Sequence, residues 1–408
     1  MVYRSDAMIR EVSHSVIAAT ITGLVIAVAA SCCHGETPRS WRVKVAYTHV
    51  VASSKDEPDY YLNRDLYMQQ LPGGEAVRLT DWARHPLLDK YVGAPHWSPD
   101  GSYILFMGSL KGHKVVMPQN DWPSYPWIID VRTKKLRLIG QTKDRWYMNV
   151  AWLPNQQGIV ARVVYGKKPQ FGYYTNLQAS FVMSGGEERL VMIDTKTGKE
   201  ETIRRDLSPG LFWVLPINQK IITYDWRNDR LTLFDLSRGK WHTLRKSAPL
   251  DVAAISPDSK RFAFHNKGVV RVYTFQSGKT RVLYNARDLY SVGRRLIWSP
   301  DGKWLVLWHT SGDIISMHPP VVDTTSYITL IDALAGKSRL LLEDSKDIPI
   351  GWTGDSKNIL LKRGGKADGV FPYDAKTVLT AYPISTASAE LSRMEIVGQQ
   401  DGIDTANP

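Results

Sequence analysis

The chain has 408 residues, 43% of them hydrophobic and 23% charged, with a net charge of +12. That balance excludes a disordered or fibrous polypeptide and leaves ample length for a large buried core. Its two cysteines are adjacent, at Cys32 and Cys33, so the rest of the chain can build neither a disulfide framework nor a thiolate metal site.

The N-terminus differs in character from the rest of the chain. Met1 to His14 carries Arg4 and Arg10, Ser15 to Ser31 has no charged residue, and small residues lead out of that run. A basic start, an apolar stretch and a small-residue exit describe an export signal, with Met8 an equally good start for it. An uncleaved membrane anchor is the competing reading, because a spanning helix needs at least about 17 apolar residues. Two cleavage positions fit. Ala27-Val28-Ala29 has the small-x-small pattern of signal peptidase. Ala29-Ala30-Ser31-Cys32 resembles a bacterial lipoprotein box, in which Cys32 is lipidated and tethers the protein to a membrane. Such boxes usually carry Leu where Ala29 stands. Residues 1–35 are therefore read as a leader or anchor, residues 36–408 as one domain, and the location as the periplasm or cell envelope.

After the leader, the first unit predicts strands at Val43 to Val51, Asp65 to Met68 and Ala76 to Thr80. Next comes Pro95-His96-Trp97-Ser98-Pro99-Asp100-Gly101, a tight turn that feeds the strand Tyr103 to Met107. Pro presets φ for the second turn position and Gly suits the fourth. The unit recurs at Trp298-Ser299-Pro300-Asp301-Gly302. Weaker copies start at Trp152, Ile255 and Trp352, and a degenerate one lies at Leu215 to Asn218. The intervening strands are predicted at 127–131 and 135–139, then 158–164, 189–194 and 199–203. They continue at 219–224, 230–235 and 241–244, and at 261–265, 270–274 and 280–283. The last are 303–308, 327–331 and 338–342, followed by 358–362, 378–382 and about 390–396.

A repeat of this period whose units are small two-faced sheets implies radial packing. With the strand entering each turn, every unit has four strands. The predicted fold is an all-β propeller of about seven four-stranded blades, with six or eight also compatible with the repeats. The first unit has no upstream turn, so its inner strand is expected from the C-terminal segment Met394 to Val397.

The W-S-P-D-G turn, the strand Asp65 to Leu71 and the closing Leu79-Thr80 resemble the repeats of TolB-type propellers. These repeats also occur in the propeller half of prolyl oligopeptidase-like enzymes. The resemblance implies a β-propeller of a kind that commonly serves as a protein-interaction module. It implies no hydrolase domain, because the nucleophile elbow G-x-S-x-G is absent from the sequence.

No catalytic, metal or cofactor residues are assigned. The histidines His49, His85, His96, His113, His242, His265, His309 and His318 form no H-x-H or H-E-x-x-H pair. His96 is expected to pack between blades. Glu200 and Glu201, with Asp206 nearby, read as a solvated acidic turn. Three insertions follow the first strand-like run of their repeat unit and should emerge on one face of the ring. They are Gly108 to Pro126, Tyr165 to Glu188 and His309 to Ser326. Candidate contact residues there are Trp122, Tyr125, Lys167, Lys168, Tyr173, Tyr174 and His318. The reading is a non-catalytic scaffold taking a protein partner on that face. An anionic envelope polymer or a lipid surface is a further partner class for the basic charge, and nucleic acid is not expected. The alternative is a propeller enzyme acting on carbohydrate or peptide from the axial pocket.

Overall fold

The computed structural model describes residues 27–29, 43–50, 64–71, 73–93, 95–112, 125–174, 179–205, 210–225, 230–246, 250, 252–266, 268–285, 291–317, 320–343, 347–363, 378–384 and 394–397. Among them there are only strands, turns and bends. The first sheet holds β1 Ala27–Ala29, β2 Val43–Val50, β3 Arg64–Leu71 and β4 Ala76–Arg78. The second holds β5 Leu88–Val92, β6 His96–Trp97, β7 Tyr103–Leu110, β8 Tyr125–Asp130 and β9 Leu136–Leu138. The third is β10 Arg145–Trp152, β11 Gly158–Tyr174, β12 Ala179–Asp194 and β13 Glu200–Arg205. The fourth is β14 Gly210–Val214, β15 Lys220–Asp225, β16 Arg230–Asp235 and β17 Lys240–Lys246. The fifth is β18 Val252–Ile255, β19 Arg261–Asn266, β20 Val269–Thr274 and β21 Lys279–Asn285. The sixth is β22 Ser291–Trp298, β23 Trp304–Met317, β24 Pro320–Asp332 and β25 Ser338–Glu343. The seventh is β26 Asp347–Trp352, β27 Asn358–Arg363, β28 Val378–Pro383 and β29 Met394–Val397.

Six of these sheets are four-stranded, and the one from β5 to β9 has five strands because its inner strand breaks into β5 and β6, both paired to β7. The weak fourth repeat is a complete sheet. Each sheet is an antiparallel meander, so its two faces need cover, and neighbouring sheets supply it. Apolar clusters bridge every neighbouring pair around the ring. One joins the first three sheets through Leu66, Ile104 and Ile159. Leu153 and Val160 meet Ile221 and Phe234, Tyr224 meets Phe262, and Leu283 meets Trp298. Val306 and Trp308 pack with Trp352 and Ile359. Val43, Val45 and Leu71 pack with Ile350 and Leu360, which joins the first sheet to the seventh and closes the ring.

The inner strand of the first sheet corrects the sequence expectation. It comes from Ala27–Ala29, inside the segment read as a leader, whereas Met394–Val397 is the outer strand of the seventh sheet. The C-terminal segment follows β28 directly and pairs with its free edge, which is the shorter connection.

The repeated turn explains how adjacent sheets are stapled. Ser98 Oγ donates to Asp100 (2.6 Å) and accepts the Tyr103 amide (2.9 Å). Ser299 does the same with Asp301 and Trp304, and Thr353 with Asp355 and Asn358. The fourth turn position is left-handed in five of the copies: φ is 72° at Gly101 and 69° at Gly302, but also 59° at Gln156, 56° at Ser259 and 59° at Ser356. A non-glycine residue there costs about 1–2 kcal/mol. Each of the three offsets that cost with a bond to a neighbouring sheet. Ser259 Oγ accepts the Ile217 amide (2.9 Å) and Ser356 Oγ accepts the Asp301 amide (3.1 Å). The Gln156 side-chain amide, oriented to satisfy both groups, donates to the Asp100 carboxylate (2.9 Å) and accepts the Asp100 amide (3.1 Å). Indoles add a second set. Trp152 Nε1 donates to His96 O (2.9 Å), Trp298 Nε1 to Ala254 O (3.1 Å) and Trp352 Nε1 to Ile297 O (3.4 Å).

Candidate functional site

In a meander, the first-to-second and third-to-fourth connections leave one face of the ring, and the second-to-third and inter-sheet connections leave the other. The first of these, the turn face, carries the staples described above. The second, the loop face, carries all three long insertions.

Two of those insertions are not loops. The segment Tyr165 to Glu188 continues the sheet as a hairpin, with β11 and β12 paired from Gly158↔Asp194 out to Tyr174↔Ala179. His309 to Ser326 does likewise, β23 and β24 pairing from Trp304↔Asp332 to Met317↔Pro320. Both corrections have one cause: β-formers recur through each insertion, so the ladder continues past the ring. Gly166, with φ 102°, sits opposite Gly186, where an added Cβ would meet Tyr165 O at 2.5 Å, and these two glycines mark where the first hairpin leaves the sheet. Lys167, Lys168, Tyr173 and Tyr174 all lie on β11 beyond that point.

The roots of the insertions are pinned. At the first hairpin, Tyr165 OH donates to Glu200 (2.9 Å), Tyr147 OH donates to the same carboxylate, and Arg145 Nε lies 3.5 Å from it. Tyr147 OH also accepts the Gln141 amide (2.8 Å). Two guanidinium carbons, of Arg145 and Arg189, lie 4.0 and 4.3 Å from the centre of the Tyr165 ring. Burial, then the Glu200 carboxylate, pushes both tyrosine hydroxyls well above their ordinary range. Glu200 is thus enclosed, its side chain 8% exposed, and is not the solvated turn residue that its acidic neighbours suggested. At the root of the second hairpin, the buried His309 ring stacks on its cross-strand partner Tyr327 (5.1 Å, 18°).

The third insertion starts after β7 and returns at β8. Its root is held by His85, whose Nδ1 accepts the Leu88 amide (2.8 Å) and whose ring meets Trp127 edge-on (5.5 Å). Lys111 Nζ donates to His85 O (2.6 Å). Burial, and secondarily the Lys111 charge, lowers the His85 pKa. Tyr125 is 2% exposed and packs edge-on against Tyr147, so the structure removes its ring from the contact surface that the sequence proposed. The reason is its position on β8, where the side chain faces the adjacent sheet. Trp122, His318 and Cys32 lie outside the described residues.

Two ionisable groups on the inner strands, His96 on β6 and Arg295 on β22, are shifted by burial. His96 is half-buried on β6, and burial lowers its pKa to about 4. Arg295 donates through Nη1 to Pro349 O (3.2 Å), and burial lowers its pKa as well. Of the other histidines, His265 is buried and His242 is exposed on β17. Among the described residues, no three His, Cys, Asp or Glu side chains are grouped to hold a metal ion.

The His96 environment sets a pH dependence. Its folded pKa lies below the unfolded value near 6.5, so the unfolded chain binds the extra proton first. Its contribution to stability is complete above pH 6.5 and falls away between pH 6.5 and about 4. The loss has an upper bound of roughly 3 kcal/mol, less whatever channel water returns to the imidazolium. Denaturation midpoints measured across this window should fall in the wild type and fall less in His96→Gln.

No family model matches the chain, and no curated protein sequence matches it. Solved structures do. An oligogalacturonate lyase in complex with manganese aligns at 12% identity with a TM-score of 0.55, covering 90% of this chain and 97% of that one. An oligogalacturonate lyase from Vibrio parahaemolyticus aligns at 14% identity with a TM-score of 0.52, covering 84% and 94%. A prolyl endopeptidase aligns at 13% identity with a TM-score of 0.56, covering 92% of this chain but only 51% of that one. TolB from Acinetobacter baumannii is also similar, at 14% identity and a TM-score of 0.42 over 68% of this chain. At these identities the shared property is the β-propeller fold.

Proposed function

We propose that this TolB-like β-propeller is an exported binding module of the bacterial cell envelope that takes a protein partner on its loop face. One observation carries the reading. Serine, threonine, aspartate and glutamine side chains of the turn face are engaged in staples within and between sheets, whereas long hairpins extend from the opposite face. Propellers present function on connections held by a rigid ring, and here the roots of those connections are braced by the Glu200 and His85 networks. The far end of the β11–β12 hairpin is rich in aromatics, with Phe171, Tyr173, Tyr174 and Phe181 on its paired strands. Such residues supply large contact area at low entropic cost. The charge-free run before Cys32 supports export, and lipidation of Cys32 would tether the ring to a membrane. An anionic polymer or lipid surface is the competing partner for the +12 charge.

The test replaces two residues on the hairpin. Tyr173→Ala with Tyr174→Ala should lower the affinity for a partner captured from an envelope extract by roughly tenfold or more. The denaturation midpoint should stay unchanged, since both positions lie beyond the ring. Unchanged capture by the double variant would sink the loop-face assignment.

A further inference from the structure

The first sheet is completed differently from every other. In the remaining six, the last inner strand and the second strand are joined by a turn of five residues: 98–102, 153–157, 215–219, 256–260, 299–303 and 353–357. In the first, residues 30–42 separate β1 from β2, a link of thirteen. The strand itself is only three residues, Ala27–Ala29, set antiparallel to β2 with Ala27↔Ala46, Val28↔Val45 and Ala29↔Lys44. It lies beside the inner strands β6 and β26. Both candidate cleavage positions fall immediately after it or within the adjoining link: after Ala29, or before Cys32.

We propose that β1 is a placeholder strand. It fills the innermost position of the first sheet in the uncleaved chain, and removal of the leader vacates that position for an extended, small-residue apolar segment of a partner protein. This rests on the export reading above. The geometry then follows from strand chemistry. β2 pairs only with β1 and β3, and its Val43, Val45 and Ala46 are buried against the seventh and second sheets. Once β1 is gone, the inner edge of β2 presents unpaired amides and carbonyls inside the ring, where leaving them unpaired is costly. An open edge of this kind is a site for strand addition, with main-chain bonds giving affinity and the flanking strands selecting the side chains. The neighbours β6 and β26 flank the position on both sides, and the residues seated there, Ala-Val-Ala, define the class of occupant: short, uncharged and extended.

The experiment uses the whole chain made in two forms. One is recovered from the envelope after export, and the other is retained in the cytoplasm of export-blocked cells. The N-terminal residue of each is read by mass spectrometry. The probe is a fluorescent peptide of residues 22–31 with lysines added for solubility. The control is the same peptide with Ala29→Pro, which removes a ladder donor without touching the protein. The proposal expects the exported form to start after residue 29 and to bind the probe saturably, at least about tenfold tighter than the proline control and than the retained form does. Its thermal midpoint should rise with probe concentration. An exported form that lacks residues 27–29 and does not distinguish the probe from the control would overturn the vacated strand site while leaving export intact. An exported form that still carries residues 27–29 would overturn the processing step itself, and the placeholder with it.

Discussion

Arg162→Met is expected to lower the unfolding free energy by about 3–5 kcal/mol. Arg162 and Glu188 are 1% and 6% exposed on β11 and β12, and the guanidinium Nε donates directly to the Glu188 carboxylate. Removing the cation leaves a carboxylate enclosed within the third sheet, with the desolvation cost of its charge no longer offset. The pair as a unit is worth much less than either half, because two desolvated charges repay little more than their own burial. The double variant Arg162→Met, Glu188→Leu should therefore recover most of the loss and come within about 1 kcal/mol of wild type, or exceed it. Chemical denaturation of the four chains of this cycle measures the coupling. Additive losses would show that the pair is not a coupled unit.

A comparable loss is expected at the seam between the fifth and sixth sheets. Trp298 is 6% exposed and packs in the cluster of Val270, Val272, Leu283 and Leu305. Its Nε1 bonds across the seam to Ala254 O, and the Arg261 guanidinium lies 4.7 Å from the centre of its ring system. Trp298→Ala opens a cavity the size of an indole between two sheets and should cost about 3–5 kcal/mol. Trp298→Phe keeps most of the packing and gives up the bond, so about 1–2 kcal/mol is expected from the orphaned carbonyl. The ordering Ala well below Phe, and Phe below wild type, is what denaturation midpoints should report. Equal losses for Ala and Phe would mean that the hydrogen bond, and not packing, holds the seam.

These two sites differ in how far they could be read from the sequence. Trp298 sits in the turn repeat, and its spacing to Trp97, Trp152 and Trp352 marks a recurrent structural position in the sequence alone. The propeller itself was legible for the same reason: the same turn residues recur at separations of 41 to 62 residues. Arg162 was not legible. It stands in the run Ile159-Val160-Ala161-Arg162-Val163-Val164, and nothing local says that its partner lies across a hairpin whose length the sequence misjudged. Glu200 failed likewise. Its neighbours are polar, and nothing in them says that Tyr147 and Tyr165, from two other strands of the third sheet, bond to it. The origin of the first inner strand was missed because its residues carry a second pattern, that of a leader, which hid their capacity to pair with β2. For the loop face, the sequence located the insertions and their common side. It mistook hairpins for loops, and it exposed Tyr125, which the structure buries.

The central claim is that the ring is a binding module, and the most direct measurement is capture of a partner from a native envelope extract by the purified chain, at low and at high salt. The account predicts a discrete protein partner that survives high salt, because contacts built on aromatic area are not screened. A partner lost at high salt would assign the binding to the +12 charge and not to a shaped face. Capture of nothing at either salt would contradict the scaffold reading outright.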